Sequence, residues 1–119
     1  MLGDRDAAAA AVYAPDNLRG ATLVVAIVVA GKGPLAFDAG RAAQNMMLAA
    51  WSEGIGSCPN GVSDPDRMRE VVGHAPDEKV ATVLSFGYPD RSSNPEGRSA
   101  EEWISRANRR PFDEIVERR

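Results

Sequence analysis

The segment Phe37–Asp64, FDAGRAAQNMMLAAWSEGIGSCPNGVSD, decides how the rest of the sequence is interpreted. Its first part predicts one long helix, with Asp38 placed to cap the start and Gly54 placed to end it. On a helical wheel the polar side chains share a narrow arc, and alanine, methionine and tryptophan fill roughly half the circumference or more. A surface helix buries a narrower stripe than this. We therefore expect the helix to be covered from two directions, by its own sheet and by a second body, and to be followed by a short loop over residues 59–61.

Composition limits the classes of protein to consider. The chain has 119 residues, which suits one domain, and its net charge of −3 gives no electrostatic reason to expect a nucleic-acid partner. The single cysteine, Cys58, fits a reducing compartment. No signal peptide is visible, and the longest apolar run, Ala21–Ala30, is about half as long as a membrane span. We expect a cytoplasmic protein without a membrane partner.

Five further segments have recognisable patterns. The alanine-rich stretch Asp4–Ala14 predicts a helix, and Thr22–Val29 predicts a strand that is apolar on both faces. Asp64–Gly73 has an aspartate cap, a proline in the first turn and a final glycine, which are typical of a short helix. Val80–Phe86 predicts a second strand, and a capping box begins a helix over Ser99–Asn108.

A sheet of two strands is marginal by itself, so a third strand is expected. The tail around Phe112, Ile115 and Val116 is the candidate, in the same chain or on a partner subunit.

The order of several segments resembles the C-terminal half of the FMN-dependent nitroreductases, over about residues 21–119. This likeness implies an α+β fold with a mixed or antiparallel sheet packed by long helices, and a homodimer that holds FMN at its interface. It also implies hydride transfer from NAD(P)H to a small-molecule acceptor. The segments that carry the resemblance are Asp38–Ala50, Gly54–Gly61, Asp64, Val80–Pro89 and Arg109–Val116.

The beginning of the chain departs from that family pattern. Family members open with a phosphate-binding segment rich in arginine and serine, and nothing in residues 1–20 resembles it. We therefore expect a single nitroreductase-like domain over residues 1–119 that lacks its N-terminal part. In this domain residues 1–20 would form a divergent helix and residues 21–119 the family-like core.

The resemblance implies two groups of cofactor-binding residues. Pro59, Asn60 and Gly61 would lie against the flavin ring, although a plain connector between helices would have a similar composition. Arg109 and Arg110 would bind the FMN phosphate, although most arginine pairs in a tail are simply solvated. No side chain is assigned a catalytic role, because the flavin itself carries the hydride chemistry, and no metal site is expected.

The functional hypothesis is an NAD(P)H-driven reductase of nitro compounds, quinones or similar acceptors. The alternative is a truncated, non-catalytic homologue that acts as a structural or small-ligand-binding dimer. A third interpretation is an unstable gene fragment.

Overall fold

The computed structural model describes residues 4–91 and 94–117. The described residues leave out 1–3, 92–93 and 118–119, all of which belong to the predicted single domain. Residues 1–3 are also part of the divergent helix predicted over residues 1–20. The chain forms two compact units, Met1–Pro89 and Asp90–Arg119, and each is described here by itself.

A three-stranded antiparallel sheet is the centre of the first unit. The strands are β1 (Leu23–Ala30), β2 (Gly56–Asn60) and β3 (Glu78–Gly87), and β3 lies between the other two. The register of β1 on β3 shifts between Ile27 and Val28. The prediction of an α+β fold with a small antiparallel sheet is confirmed, and β1 and β3 are the two strands that the sequence predicts.

Four helices cover this sheet. They are α1 (Arg5–Ala9), α2 (Pro15–Arg19), α3 (Leu35–Ser52) and α4 (Pro65–Val72). In the second unit a 3-10 turn over Pro95–Gly97 precedes α5 (Ala100–Ala107) and α6 (Phe112–Ile115).

The helices place apolar side chains on both faces of the sheet. On one face α3 contributes Ala43 to a cluster with Leu84 and Phe86. On the other face the short helices α1, α2 and α4 form a second cluster with the sheet, in which Leu18 and Met68 are fully buried. The middle of β1 is therefore covered on both faces, with Val24 in one cluster and Val25 against the other, whereas Leu23 and Val28 are exposed and the apolar sequence predicts cover there too.

The N-terminal helix is shorter than its alanine content predicts. It ends at Ala9, and the chain then turns so that Val12 pairs with Val62 in an isolated β-bridge. The Tyr13 N–H donates to the Gly61 carbonyl at 3.1 Å. The prediction of one helix to Ala14 was wrong, because this backbone pairing to a distant segment outweighs local propensity.

The long helix begins earlier than predicted. Its first residue is Leu35, and the Asp38 N–H already donates to the Pro34 carbonyl at 3.0 Å. No side chain caps this start, so the assignment of Asp38 as the cap was wrong. The predicted end is confirmed, since Gly54 follows the helix with a φ of 74°, which only glycine adopts without strain.

Two predictions about strands were wrong. Pro59 and Asn60 belong to strand β2 rather than to a loop. Proline is tolerated there because β2 is an edge strand, where an N–H is needed on one side only. The tail around Phe112 is helical, so the third strand of the sheet comes from residues 56–60 and not from the tail.

One face of α3 is open in this unit. Phe37, Leu48 and Trp51 are each more than half exposed, and the described residues of Met1–Pro89 leave them uncovered. Cover from a second direction stays a prediction.

The second unit has a well-capped helix and little core. Ser99 accepts from the Glu102 N–H at 3.3 Å, and the Glu102 carboxylate accepts from the Ser99 N–H at 3.0 Å, which forms the predicted capping box. The Arg98 guanidinium lies 4.8 Å from the centroid of the Trp103 ring. Across the described residues of both units, no helix has the length and apolar content needed to cross a lipid bilayer.

Candidate functional site

Strand β2 presents its side chains to both faces of the sheet in turn. Pro59 lies opposite Leu84, which belongs to the cluster under α3. Asn60 lies opposite Val83, which belongs to the cluster under the three short helices. Because neighbouring residues in a strand point to opposite faces, Pro59 is on the α3 side and Asn60 is on the other side.

The Asn60 side chain is a buried centre of hydrogen bonding, only 3% exposed. Its Nδ2 lies 3.0 Å from the Cys58 carbonyl, 3.1 Å from the Val83 carbonyl and 3.3 Å from the Ser85 hydroxyl, and its two hydrogens are shared among these three acceptors. Its Oδ1 accepts from Asn17 Nδ2 at 3.0 Å. The amide therefore joins β2, β3 and α2, and no polar atom of this side chain is left to touch a ligand.

Two hydroxyl groups of β3 complete this network. Thr82 Oγ1 donates to the Asn60 carbonyl at 3.1 Å, and Ser85 Oγ donates to the Cys58 carbonyl at 3.3 Å. Sequence reasoning missed both residues and also Asn17. The available signal was the presence of two polar side chains inside an otherwise apolar strand.

The backbone of Gly61 is directed toward the outer edge of the sheet. Proline has no N–H, so the pair Pro59–Leu84 must be of the non-hydrogen-bonded type. The two types alternate, which means that the backbone groups of Asn60 face β3 and those of Gly61 face away from it. The hydrogen bond from Tyr13 to the Gly61 carbonyl agrees with this direction. The Gly61 main chain therefore lies on the outer side of the sheet, beside Tyr13, at an exposed residue.

Glycine at position 61 also allows the Tyr13 ring to lie close to the main chain. A Cβ built there would lie 3.1 Å from Cδ2 of Tyr13, closer than ordinary van der Waals contact. A larger residue would displace the Tyr13 ring, which is itself mostly exposed.

Two concave regions border β2. On the α3 side a groove of about 440 Å³ runs past Pro59, and on the opposite side a cleft of about 340 Å³ lies beside Cys58 and Asn17. The groove is lined mainly by small and apolar residues, and Lys79 is the charged residue in its lining. The residues around the groove are Val29, Ala36, Ala39, Gly40, Ala43, Pro59, Lys79, Val80, Ala81 and Thr82.

Arg109 and Arg110 lie in the second unit, between α5 and α6. Both are exposed, and they follow Asn108, whose φ of 44° ends α5 in the left-handed region. Their role as phosphate ligands stays a prediction. In the part of the chain that is described, no cluster of His, Cys, Asp and Glu side chains is arranged to hold a metal ion.

Comparison with known proteins identifies a family. A model of the nitroreductase family matches residues 4–88, which include all of β2 and Gly61. The match begins at residue 4, earlier than residues 21–119, which carry the resemblance described above. It ends at residue 88, before the second unit begins at Asp90. Among curated protein sequences, no match to this chain was found.

Several solved structures share the fold. A nitroreductase family protein from Streptococcus pneumoniae TIGR4 is 20% identical with a TM-score of 0.72, over 98% of this chain and 75% of that one. A nitroreductase family protein from Clostridium novyi NT is 18% identical with a TM-score of 0.65, and the match covers 83% of this chain and 61% of that one. The FMN-dependent nitroreductase NfnB from Mycobacterium smegmatis, in complex with NADPH, is 26% identical with a TM-score of 0.60. That match covers 88% of this chain and 46% of the NfnB chain. The chain therefore spans less than two thirds of the last two.

Proposed function

Because the chain belongs to the nitroreductase family, we propose that it is an FMN-dependent oxidoreductase. It would pass a hydride from NAD(P)H to a small-molecule acceptor such as a nitro compound or a quinone. The observation that carries the proposal is the family match over residues 4–88, which contains the whole segment from β2 to Gly61. The Mycobacterium smegmatis relative, described as FMN-dependent and in complex with NADPH, supports the choice of cofactor and electron donor.

The residues around Gly61 fit a flat ring with acceptor atoms at its rim. The Gly61 N–H would be the donor, because Gly61 is exposed at the sheet edge that Tyr13 borders and glycine adds no side chain of its own there. Pro59 adds an exposed, rigid apolar surface beside the groove under α3. The buried amide of Asn60 fixes the main chain between them. When bound, FMN supplies a ring that accepts and donates hydride, and this chain's residues hold and orient it.

Arg109 and Arg110 are the proposed ligands of the FMN phosphate. Each guanidinium is exposed and can donate two parallel hydrogen bonds to phosphate oxygens. We propose a homodimer because the exposed Phe37, Leu48 and Trp51 on α3 form an apolar surface that a second copy would cover. The single cysteine suits a cytoplasmic location.

The test is FMN binding followed by reduction. The full chain is mixed with excess FMN, freed of unbound flavin by gel filtration and examined for flavin absorption. Under anaerobic conditions NADH or NADPH should bleach the bound flavin, and a nitroaromatic compound or a quinone should restore its colour. A colourless, folded dimer that does not oxidise NAD(P)H would refute the proposal and support the non-catalytic alternative.

The arginine assignments are tested in the same assay. Arg109→Ala and Arg110→Ala should each weaken FMN binding about tenfold or more, since a hydrogen bond between charged groups contributes about 1.5–3 kcal/mol. Arg106→Ala removes the same charge from an exposed position in α5 and should leave the affinity within about twofold. Equal effects of all three substitutions would refute a specific phosphate contact.

A further inference from the structure

The Asn60 amide can lie in only one orientation. Its Nδ2 faces two main-chain carbonyls, which accept hydrogen bonds but cannot donate them. The Oδ1 must therefore face the opposite side. There Asn17 Nδ2 is the donor, at 3.0 Å, and among the described residues it is the group that satisfies this oxygen.

Asn17 is exposed, but the helix that carries it is anchored in the core. It lies in the five-residue helix α2, next to Leu18, whose side chain is fully buried in the core. The same Nδ2 lies 3.5 Å from Cys58 Sγ. Asn17 itself borders the open cleft, so its amide connects a fixed helix to the buried end of β2.

We propose that Asn17 is a positioning residue for the segment 59–61. Through Asn60 it fixes the main chain from which Gly61 directs its N–H outward, and it does not itself touch the cofactor. This inference rests on the proposed function, because flavin binding is the reason why the segment 59–61 would need a fixed position. Without the Asn17 donor, water from the cleft replaces it at Asn60 Oδ1, and the end of β2 gains freedom.

Two substitutions at Asn17 and one control test the role. Asn17→Leu keeps a similar volume without a donor, and Asn17→Asp keeps the shape without a donor. Asp16→Asn changes the neighbouring residue, whose carboxylate contacts Arg19 at 3.1 Å. It alters the charge by one unit, as Asn17→Asp does, but in the opposite direction. For each variant we would measure the FMN dissociation constant, the midpoint potential of bound FMN and the melting temperature.

Both Asn17 variants should weaken FMN binding about fivefold, the equivalent of one net hydrogen bond. The midpoint potential should become more negative, because a displaced N–H donor stabilises reduced, negatively charged flavin less than a well-placed one. Asp16→Asn should stay within about twofold of the unmodified chain. A lower melting temperature with unchanged affinity and potential would mean a purely structural role and would overturn the proposal.

A second readout does not need FMN. Hydrogen exchange at the backbone amide of Asn60, which faces β3 opposite Val83, should accelerate about fivefold in both Asn17 variants and not in Asp16→Asn. If the unmodified chain binds no FMN, the proposed function fails, and this exchange rate alone decides whether Asn17 positions the segment. An unchanged rate overturns the inference.

Discussion

Replacing Asn60 by aspartate is the sharpest test of the hydrogen-bond network at the end of β2. The substitution keeps the shape of the side chain and removes its N–H₂ group. The Cys58 and Val83 carbonyls, which accept from Asn60 Nδ2 at 3.0 and 3.1 Å, would then face a carboxylate oxygen. The Ser85 hydroxyl would lose the same donor. With the side chain only 3% exposed, water cannot easily repair the loss.

The expected destabilisation follows from these contacts. The two hydrogens of the amide nitrogen support two hydrogen bonds of about 1 kcal/mol each, and leaving buried acceptors without a donor beside a buried charge raises the total to about 3–5 kcal/mol. Burial raises the pKa of the introduced carboxyl group above the unfolded value of about 3.9. A carboxyl group whose pKa is higher in the folded than in the unfolded protein lowers the free energy of unfolding as it ionises, and it ionises as the pH rises. The loss of stability should therefore grow as the pH rises from 4 to 7.

Urea denaturation followed by circular dichroism measures this loss, at one protein concentration throughout. For a domain of this size the midpoint should fall by about 2 M urea at pH 7. Asn45→Asp makes the same chemical change at an exposed position of α3 and should change stability by less than about 0.5 kcal/mol. Equal midpoints for Asn60→Asp and Asn45→Asp would refute the reasoning.

Three further predictions concern other parts of the fold. Thr82→Val removes the hydroxyl that donates to the main chain of β2 and should cost about 1 kcal/mol in the same denaturation assay. Gly73→Ala should lower the free energy of unfolding by about 1 kcal/mol, because φ is +71° at that position. Gly40→Ala inside α3 should leave stability unchanged or raise it, and a variant at position 40 less stable than the one at position 73 would contradict the geometry. Hydrogen bonds from the backbone N–H of Glu101 and from the Ser99 hydroxyl lower the pKa of the Glu101 carboxyl group, so its contribution to α5 should be lost as the pH falls through the lowered pKa. Ser99→Ala should move that pKa upward in an NMR titration, and an unchanged titration would exclude the hydroxyl as a cause.

The parts of the fold that could be predicted are those decided by local chemistry. The apolar run of β1 and the glycine at position 54 give unambiguous signals, and so does α4, with Asp64 as its cap, proline in its first turn and Gly73 at its end. Each depends on residues close together in the chain, where capping and backbone preferences dominate.

The remaining features depend on pairing between distant segments. Residues 56–60 resemble a loop until β3 is present to pair with them. The helix at the N-terminus ends early because Val12 pairs with Val62. The assignment of Pro59, Asn60 and Gly61 as flavin contacts came from the resemblance. The contact between Asn17 and Asn60 joins residues far apart in sequence, and no local pattern indicates it.

The most direct test of the central proposal is an FMN titration observed at the Gly61 amide by NMR. Saturable binding with the largest shift at Gly61 and its neighbours, and with little change at the exposed edge of α4, is the expected result. A folded chain whose Gly61 resonance does not respond to excess FMN would contradict the proposal that this segment of the sheet edge binds the flavin.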